Sequence, residues 1–112
     1  MNNKLKLKNI QISLKSSLTS AFSQMNKHGF KSLLVTDVKK NYLGVISDGD
    51  IRRAIIKKKN FRFKVETIFK RKTIFFYKDK YDVAKIKFNF LRKKIDIIPI
   101  LSPSNKIVKL IL

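Results

Sequence analysis

The chain has 112 residues, enough for one compact domain with a modest core, and its 44% hydrophobic content suits a globular protein rather than a disordered tail. It has no cysteine and a single histidine, His28, which excludes disulfides, thiolate metal sites and a zinc site built from one imidazole. Lys+Arg 27 against Asp+Glu 7 gives a net charge of +20, a field that favours anionic partners: nucleotides, nucleic acid, acidic membrane surfaces or acidic proteins.

Residues 4–14 alternate loosely and predict a short strand. Leu18, Ala21, Phe22 and Met25 then fall at helical spacing, with Ser16 or Ser17 to cap the helix and Gly29 to end it. "FKSLLVTD" reads as a strand, "VKKN" as a polar turn and "YLGVIS" as a second strand. After Ser47 a further helix places Ile51, Ala54 and Ile55 on one face, and Lys57, Lys58 and Lys59 follow at its C-terminal end, where cations suit the helix dipole. "TIFFY" predicts another strand. The next helix carries Val83, Ile86 and Phe90 as its main apolar stripe, with Phe88 and Leu91 beside it. "IDIIPIL" is a strand, "SPSNK" a turn and "IVKLIL" a last strand.

The second half repeats the first. Residues 29–35 align without a gap on residues 94–100, 65 positions later, and the turns 38–41 and 103–106 match under the same offset. Leu18, Ala21 and Met25 fall on Val83, Ile86 and Phe90. One copy of this unit alone would leave apolar sheet and helix faces exposed, whereas two can cover each other. The copies are unequal, because Ser47 corresponds to the final residue, Leu112, so the second has no equivalent of Asp50 and no closing helix.

Two readings of "SDGD" at residues 47–50 stay open. In one, Ser47 and Asp50 form a capping box and Asp48-Gly49 suits a tight turn. In the other, the strand end and helix start form a cradle for sugar and phosphate. Free backbone N–H groups and the Ser47 hydroxyl would face phosphate, Asp50 would accept from both hydroxyls of a ribose, and Gly49 would allow close approach. Arg52 or Arg53 would neutralise the phosphate.

With the repeat and this junction in view, the sequence resembles a tandem pair of cystathionine-β-synthase (CBS) repeats, also called a Bateman module. The carrying residues are "SLLVTDVKKNYLGVISDGDIRRAI" in the first copy and "IDIIPILSPSNKIVKLIL" in the second. Gly44, Ser47 and Asp50 meet the family pattern Gly-x-x-Ser/Thr-x-x-Asp, and Ile98-Pro99 marks the strand entrance of the second copy. The resemblance implies an α/β (α+β) fold, a pseudo-twofold pair of small sheets packed on helices. Residues 1–112 would form one module, with a first repeat over about 1–60 and a second, truncated one over about 61–112. Within the family, "SDGDIRRAI" is similar to modules attached to sugar-phosphate nucleotidyltransferases and sugar-phosphate isomerases. The ending "IVKLIL" favours the nucleotidyltransferase kind.

The resemblance also implies a ligand, an adenine nucleotide (AMP, ADP or ATP), and no required cofactor. Its site would join Ser47, Asp48, Gly49, Asp50 and Arg53 to Thr73 and to Ile97, Ile98 and Pro99 of the other repeat, where backbone groups read an adenine edge. The partner cleft would need an acid after Leu112, so at most one competent site per chain is expected. Asp96 departs from the family, which often has a basic residue there; an acid at that position would repel phosphate. A homodimer through the helices and a catalytic nucleotidyltransferase domain or subunit are the implied protein partners.

Other functions find less support. One His and no Cys leave no nucleophile–base arrangement, so no enzyme activity is expected. Asp48 and Asp50 lack a third ligand for a metal. Nucleic-acid binding would use "KKKNFRFK" and "FKRKTIFFYK", where cations mix with aromatics. The competing reading puts Phe69, Phe75 and Tyr77 into the core with solvated lysines around them. A dimeric assembly joint with empty clefts is the third possibility. The charge excess itself has two candidate origins, AT-rich coding bias and selection for a polyanion; the bias does not by itself explain why Glu66 is the only glutamate. No apolar run approaches the roughly 18 residues that span a bilayer, and "MNNKLKLKNIQISL" lacks the apolar centre of a secretory signal. A soluble, cytoplasmic protein without membrane contact is expected.

Overall fold

The computed structural model describes residues 7–57, 62–71, 74–92 and 97–111. Its first sheet has four strands in the order β1 (Gln11–Ser13), β2 (Ser32–Thr36), β3 (Tyr42–Ser47) and β4 (Lys70–Arg71); β1 runs parallel to β2, and the other pairs are antiparallel. The second sheet orders β5 (Phe76–Tyr77), β6 (Ile98–Leu101) and β7 (Ile107–Ile111), again one parallel pair and one antiparallel pair. Helix α1 (Leu18–His28) connects β1 to β2, α2 (Asp48–Ile56) follows β3, and α3 (Val83–Arg92) connects β5 to β6. This is the α+β duplication that the sequence predicts.

The duplication extends to hydrogen-bond register. Leu34 pairs with Val45 and Pro99 with Leu110; Thr36 pairs with Tyr42 and Leu101 with Ile107; each hairpin shifts register at the same point. The turns match as well. Lys40 and Asn105, 65 positions apart, both adopt positive φ, at 69° and 67°. Asp37 accepts the backbone N–H groups of Lys39 and Asn41 on one carboxylate oxygen, and the Ser102 hydroxyl accepts the N–H of Lys106 in the corresponding place. Bonds from the Asn41 backbone and side chain, chiefly, hold the Asp37 carboxyl below its ordinary pKa.

These related turns are where the halves join. Asn41 and Lys106, equivalent under the offset, form an antiparallel bridge, so the pseudo-twofold axis passes between them. The Lys106 ammonium donates to the Lys39 carbonyl and to the Asn41 side-chain oxygen, both at 2.6 Å, and the Tyr42 N–H donates to the Asn105 carbonyl. A single buried cluster runs across the join: Leu18, Leu33, Val35, Ile46 and Ile51 of the first half share it with Ile97 and Leu101 of the second.

Local signals set the helix ends. Ser17 caps α1 by accepting the Ser20 N–H, and Gly29 closes it at φ 73° with its N–H on the Met25 carbonyl. Asp82 accepts the Ala84 N–H at the start of α3. The short strand expected within residues 4–14 is Gln11–Ser13, after a helical turn at residues 7–9. Two expectations are revised. Among the described residues of "TIFFY", only Phe76 and Tyr77 form a strand. In α3, Val83 is 60% exposed and Phe90 half-buried, while Ile86 and Asn89 face the protein. The Asn89 side chain donates to the Lys85 carbonyl one turn back, which offsets the cost of burying its amide.

Candidate functional site

The junction after β3 is fixed from both sides. Ser47 ends the strand opposite Ser32, and the Asp48 N–H donates to the Lys31 carbonyl at 2.9 Å, anchoring the first helical residue to the neighbouring strand. Ser47 has the extended backbone of an N-cap; its hydroxyl accepts the Asp50 N–H, and Asp50 Oδ2 accepts the Ser47 N–H, both at 3.0 Å. The capping box is therefore complete. With the Asp48 N–H on Lys31 and the Asp50 N–H in the capping box, two of the N–H groups that a phosphate cradle would use are already engaged.

The second Asp50 oxygen is bound differently. Oδ1 accepts from the Arg53 guanidinium at 2.7 Å and lies 3.7 Å from the Lys70 ammonium. The Asp50 side chain is only 7% exposed, whereas those of Arg53 and Lys70 are 60% and 64% exposed. One oxygen thus serves the backbone, and the other is held by two solvent-facing cations. Arg52 is occupied elsewhere, donating to Asp48 at 3.3 Å across one helical turn. Gly49 has an ordinary backbone; a side chain there would meet Arg53 Nη1 at 3.3 Å. The space over Gly49 is where Arg53 folds back to reach Asp50.

Lys70 lies in the basic segment "FKRKTIFFYK" and in no part of the nucleotide-site pattern. It is placed by β4, whose Lys70 and Arg71 pair with Val45 and Gly44. A Cβ on Gly44 would land on the Lys70 carbonyl oxygen and come within 2.9 Å of Arg71 Cα. The glycine of Gly-x-x-Ser-x-x-Asp is therefore the residue that admits β4, and with it Lys70, to the junction. A glycine inside a predicted strand is the available signal for such a close approach.

The structure brings Ser47, Asp48, Gly49, Asp50 and Arg53 together. Ile97, Ile98 and Pro99 are buried at the entrance of β6, in the other sheet, and Ile97 shares the buried cluster with Ile46 and Ile51, which flank the junction. Pro99 fits this central strand because β5 begins pairing at Ile100, so that side asks for no proline N–H. Thr73 and Asp96 lie outside the described residues. Two open grooves, of about 600 and 540 Å³, lie along α1, both lined by Thr19, Ser23 and Lys27.

Of the aromatics in the basic segments, Phe69 and Phe75 pack on the core, and Phe75 meets Tyr42 and Tyr77 edge-on. Tyr77 is exposed rather than in the core, with its hydroxyl donating to Asn105; Phe63 is exposed as well, and Phe61 lies outside the described residues. The Arg71 guanidinium lies 4.9 Å from the centre of the Phe69 ring. Among the described residues no three His, Cys, Asp or Glu side chains are grouped to hold a metal, and no helix is long and apolar enough to cross a membrane.

Two matched sheet-and-helix units, joined at equivalent turns and carrying a capped strand–helix junction, define a paired-repeat module. The family model of the CBS domain matches residues 7–57. No curated protein sequence matches the chain. Among solved structures, Staphylococcus aureus OpuCA aligns with a TM-score of 0.73 at 19% identity, over 91% of this chain and 83% of that one. The CBS domain pair of protein MJ0100, in complex with 5′-methylthioadenosine and S-adenosyl-L-methionine, aligns at 0.76 with 20% identity, over 91% and 79%. The CBS domain protein PAE2072 from Pyrobaculum aerophilum, complexed with AMP, aligns at 0.77 with 15% identity, over 91% and 78%. At these identities the likeness is one of fold. Residues 7–57 match the CBS domain, and the chain as a whole has the fold of a CBS-domain pair.

Proposed function

We propose that this CBS pair, its repeats dividing near residue 60, binds an adenine nucleotide (AMP, ADP or ATP) and thereby controls or assembles an enzyme, with a sugar-phosphate nucleotidyltransferase as the specific expectation. The observation that carries the reading is the division of labour on Asp50. Oδ2 is committed to the capping box, while Oδ1 is held only by exposed side chains that a ribose hydroxyl can replace. The adenine ligands of MJ0100 and PAE2072 support the same reading. Ser47, Asp48, Gly49, Asp50 and Arg53 would hold sugar and phosphate; Thr73, Ile97, Ile98 and Pro99 would complete the site from the other repeat. Binding across the two repeats would shift the angle at the Asn41–Lys106 join, to the extent that the ligand prefers one arrangement.

AMP, ADP or ATP should raise the thermal midpoint of the full chain by mass action. Asp50→Ala should abolish that rise while costing about 1–2 kcal/mol of stability through the lost cap and pairing. A nucleotide response that survives Asp50→Ala removes this residue from the site. Absence of any response in the unaltered protein defeats the reading.

A homodimer is favoured by a separate observation. Ile56 on α2 and Val83, Phe88 and Leu91 on α3 are exposed, Leu91 at 81%. A helix-mediated dimer would cover them. Light scattering over a dilution series should show a concentration-dependent dimer that Leu91→Glu weakens; a monomer at all concentrations rejects it.

A further inference from the structure

Resting on that nucleotide-binding reading, we propose that Arg53, backed by Lys70, is a specificity determinant that makes the site take phosphorylated adenine nucleotides in preference to uncharged or cationic adenine compounds. Of the N–H groups at the start of α2, that of Gly49 is left to a phosphate. The Asp48 N–H is bonded to the Lys31 carbonyl and the Asp50 N–H to the Ser47 hydroxyl. Recognition of the anion's charge therefore falls to side chains. Arg52 already pairs with Asp48, which leaves Arg53 and Lys70, both gathered on Asp50 Oδ1.

A ribose diol that reaches Oδ1 meets Arg53 first, because the guanidinium rests on that oxygen at 2.7 Å. Displacing it from a carboxylate breaks a charge-assisted bond, and the ligand must replace what the cation loses. A phosphate on the same ligand does so, with bidentate geometry for Arg53 and a point charge for Lys70. A nucleoside has no anion to give, and a sulfonium adds a third cation beside two that have lost their partner. Both side chains are solvent-facing, so the exchange moves no core residue. Gly49 keeps the path open, since a side chain there would press on the guanidinium.

The test is calorimetric titration of the full chain with ADP, adenosine and 5′-methylthioadenosine, repeated with Arg53→Met and Lys70→Met. Circular dichroism confirms that α2 persists in each variant. The unaltered protein should bind ADP about tenfold or more tightly than adenosine, a gap equivalent to one exchanged charge-assisted bond. Arg53→Met should weaken ADP by a similar factor and leave adenosine unchanged or tighter. Lys70→Met should act in the same direction with a smaller effect. Equal affinity for ADP and adenosine, or an ADP preference untouched by both substitutions, overturns the inference while the adenine site stands. An unaltered protein that binds none of the three overturns the site reading and the inference together.

Discussion

Gly44→Ala should destabilise the protein by about 3 kcal/mol, lowering the thermal midpoint by roughly 10 °C. The added Cβ would overlap the Lys70 carbonyl, with the Lys70 carbonyl carbon and Arg71 Cα both at 2.9 Å. These are backbone atoms, so no side-chain rotation relieves the overlap and β4 must leave β3. Its two residues make only two paired positions with β3, so the strand should detach before the core gives way. Hydrogen exchange should then accelerate at Lys70 and Arg71 ahead of β2 and β3. The Lys70 ammonium would leave Asp50 at the same time, so the variant should also lose part of its ADP preference. Gly29→Ala is the control. Nothing lies within 4 Å of a Cβ there, and the φ of 73° alone makes the substitution unfavourable, by about 1 kcal/mol. Equal costs at the two positions would show that close approach of β4 is not what Gly44 provides.

Leu101→Ala should cost about 3 kcal/mol, in the range for a fully buried leucine, and the two halves should still unfold in one transition. Leu101 lies in the second sheet, paired with Ile107 and beside Tyr77, yet belongs to the buried cluster built mainly from the first half. A cavity there weakens packing on both sides of the join. Denaturant unfolding followed by near-ultraviolet signal and by exchange at Leu34 and Val35 should give one shared midpoint, lower than that of the unaltered protein. A first sheet that melts at its original midpoint while the second unfolds early would mean that the halves are separate cooperative units.

The capped junction was legible because its signals are local. A capping box needs only Ser47 and Asp50 three residues apart, and the structure closes both of its hydrogen bonds. The same holds for Ser17 and Gly29 at the ends of α1, and for the two hairpins, whose turn residues lie beside the strands they join. What those residues do beyond capping was less legible. Gly49 suggested room for a ligand, and the room is filled by Arg53 from one turn further along the helix. Arg52 and Arg53 were interchangeable as sequence, yet their positions around α2 send one to Asp48 and the other to Asp50.

By itself, the sequence determined the repeat, the α+β class, the two hairpins and the capped helix starts at Ser17 and Ser47. Each depends on spacing within a few residues or on comparing one half with the other. Only the tertiary structure decided three further points: that β4 lies against Gly44, that Lys70 reaches Asp50, and which side of α3 is buried. A two-residue strand has no periodicity to read, and a helix with apolar residues around much of its circumference docks by the shape of its neighbour. Contacts between distant segments depend on how whole elements pack, and no local pattern encodes that.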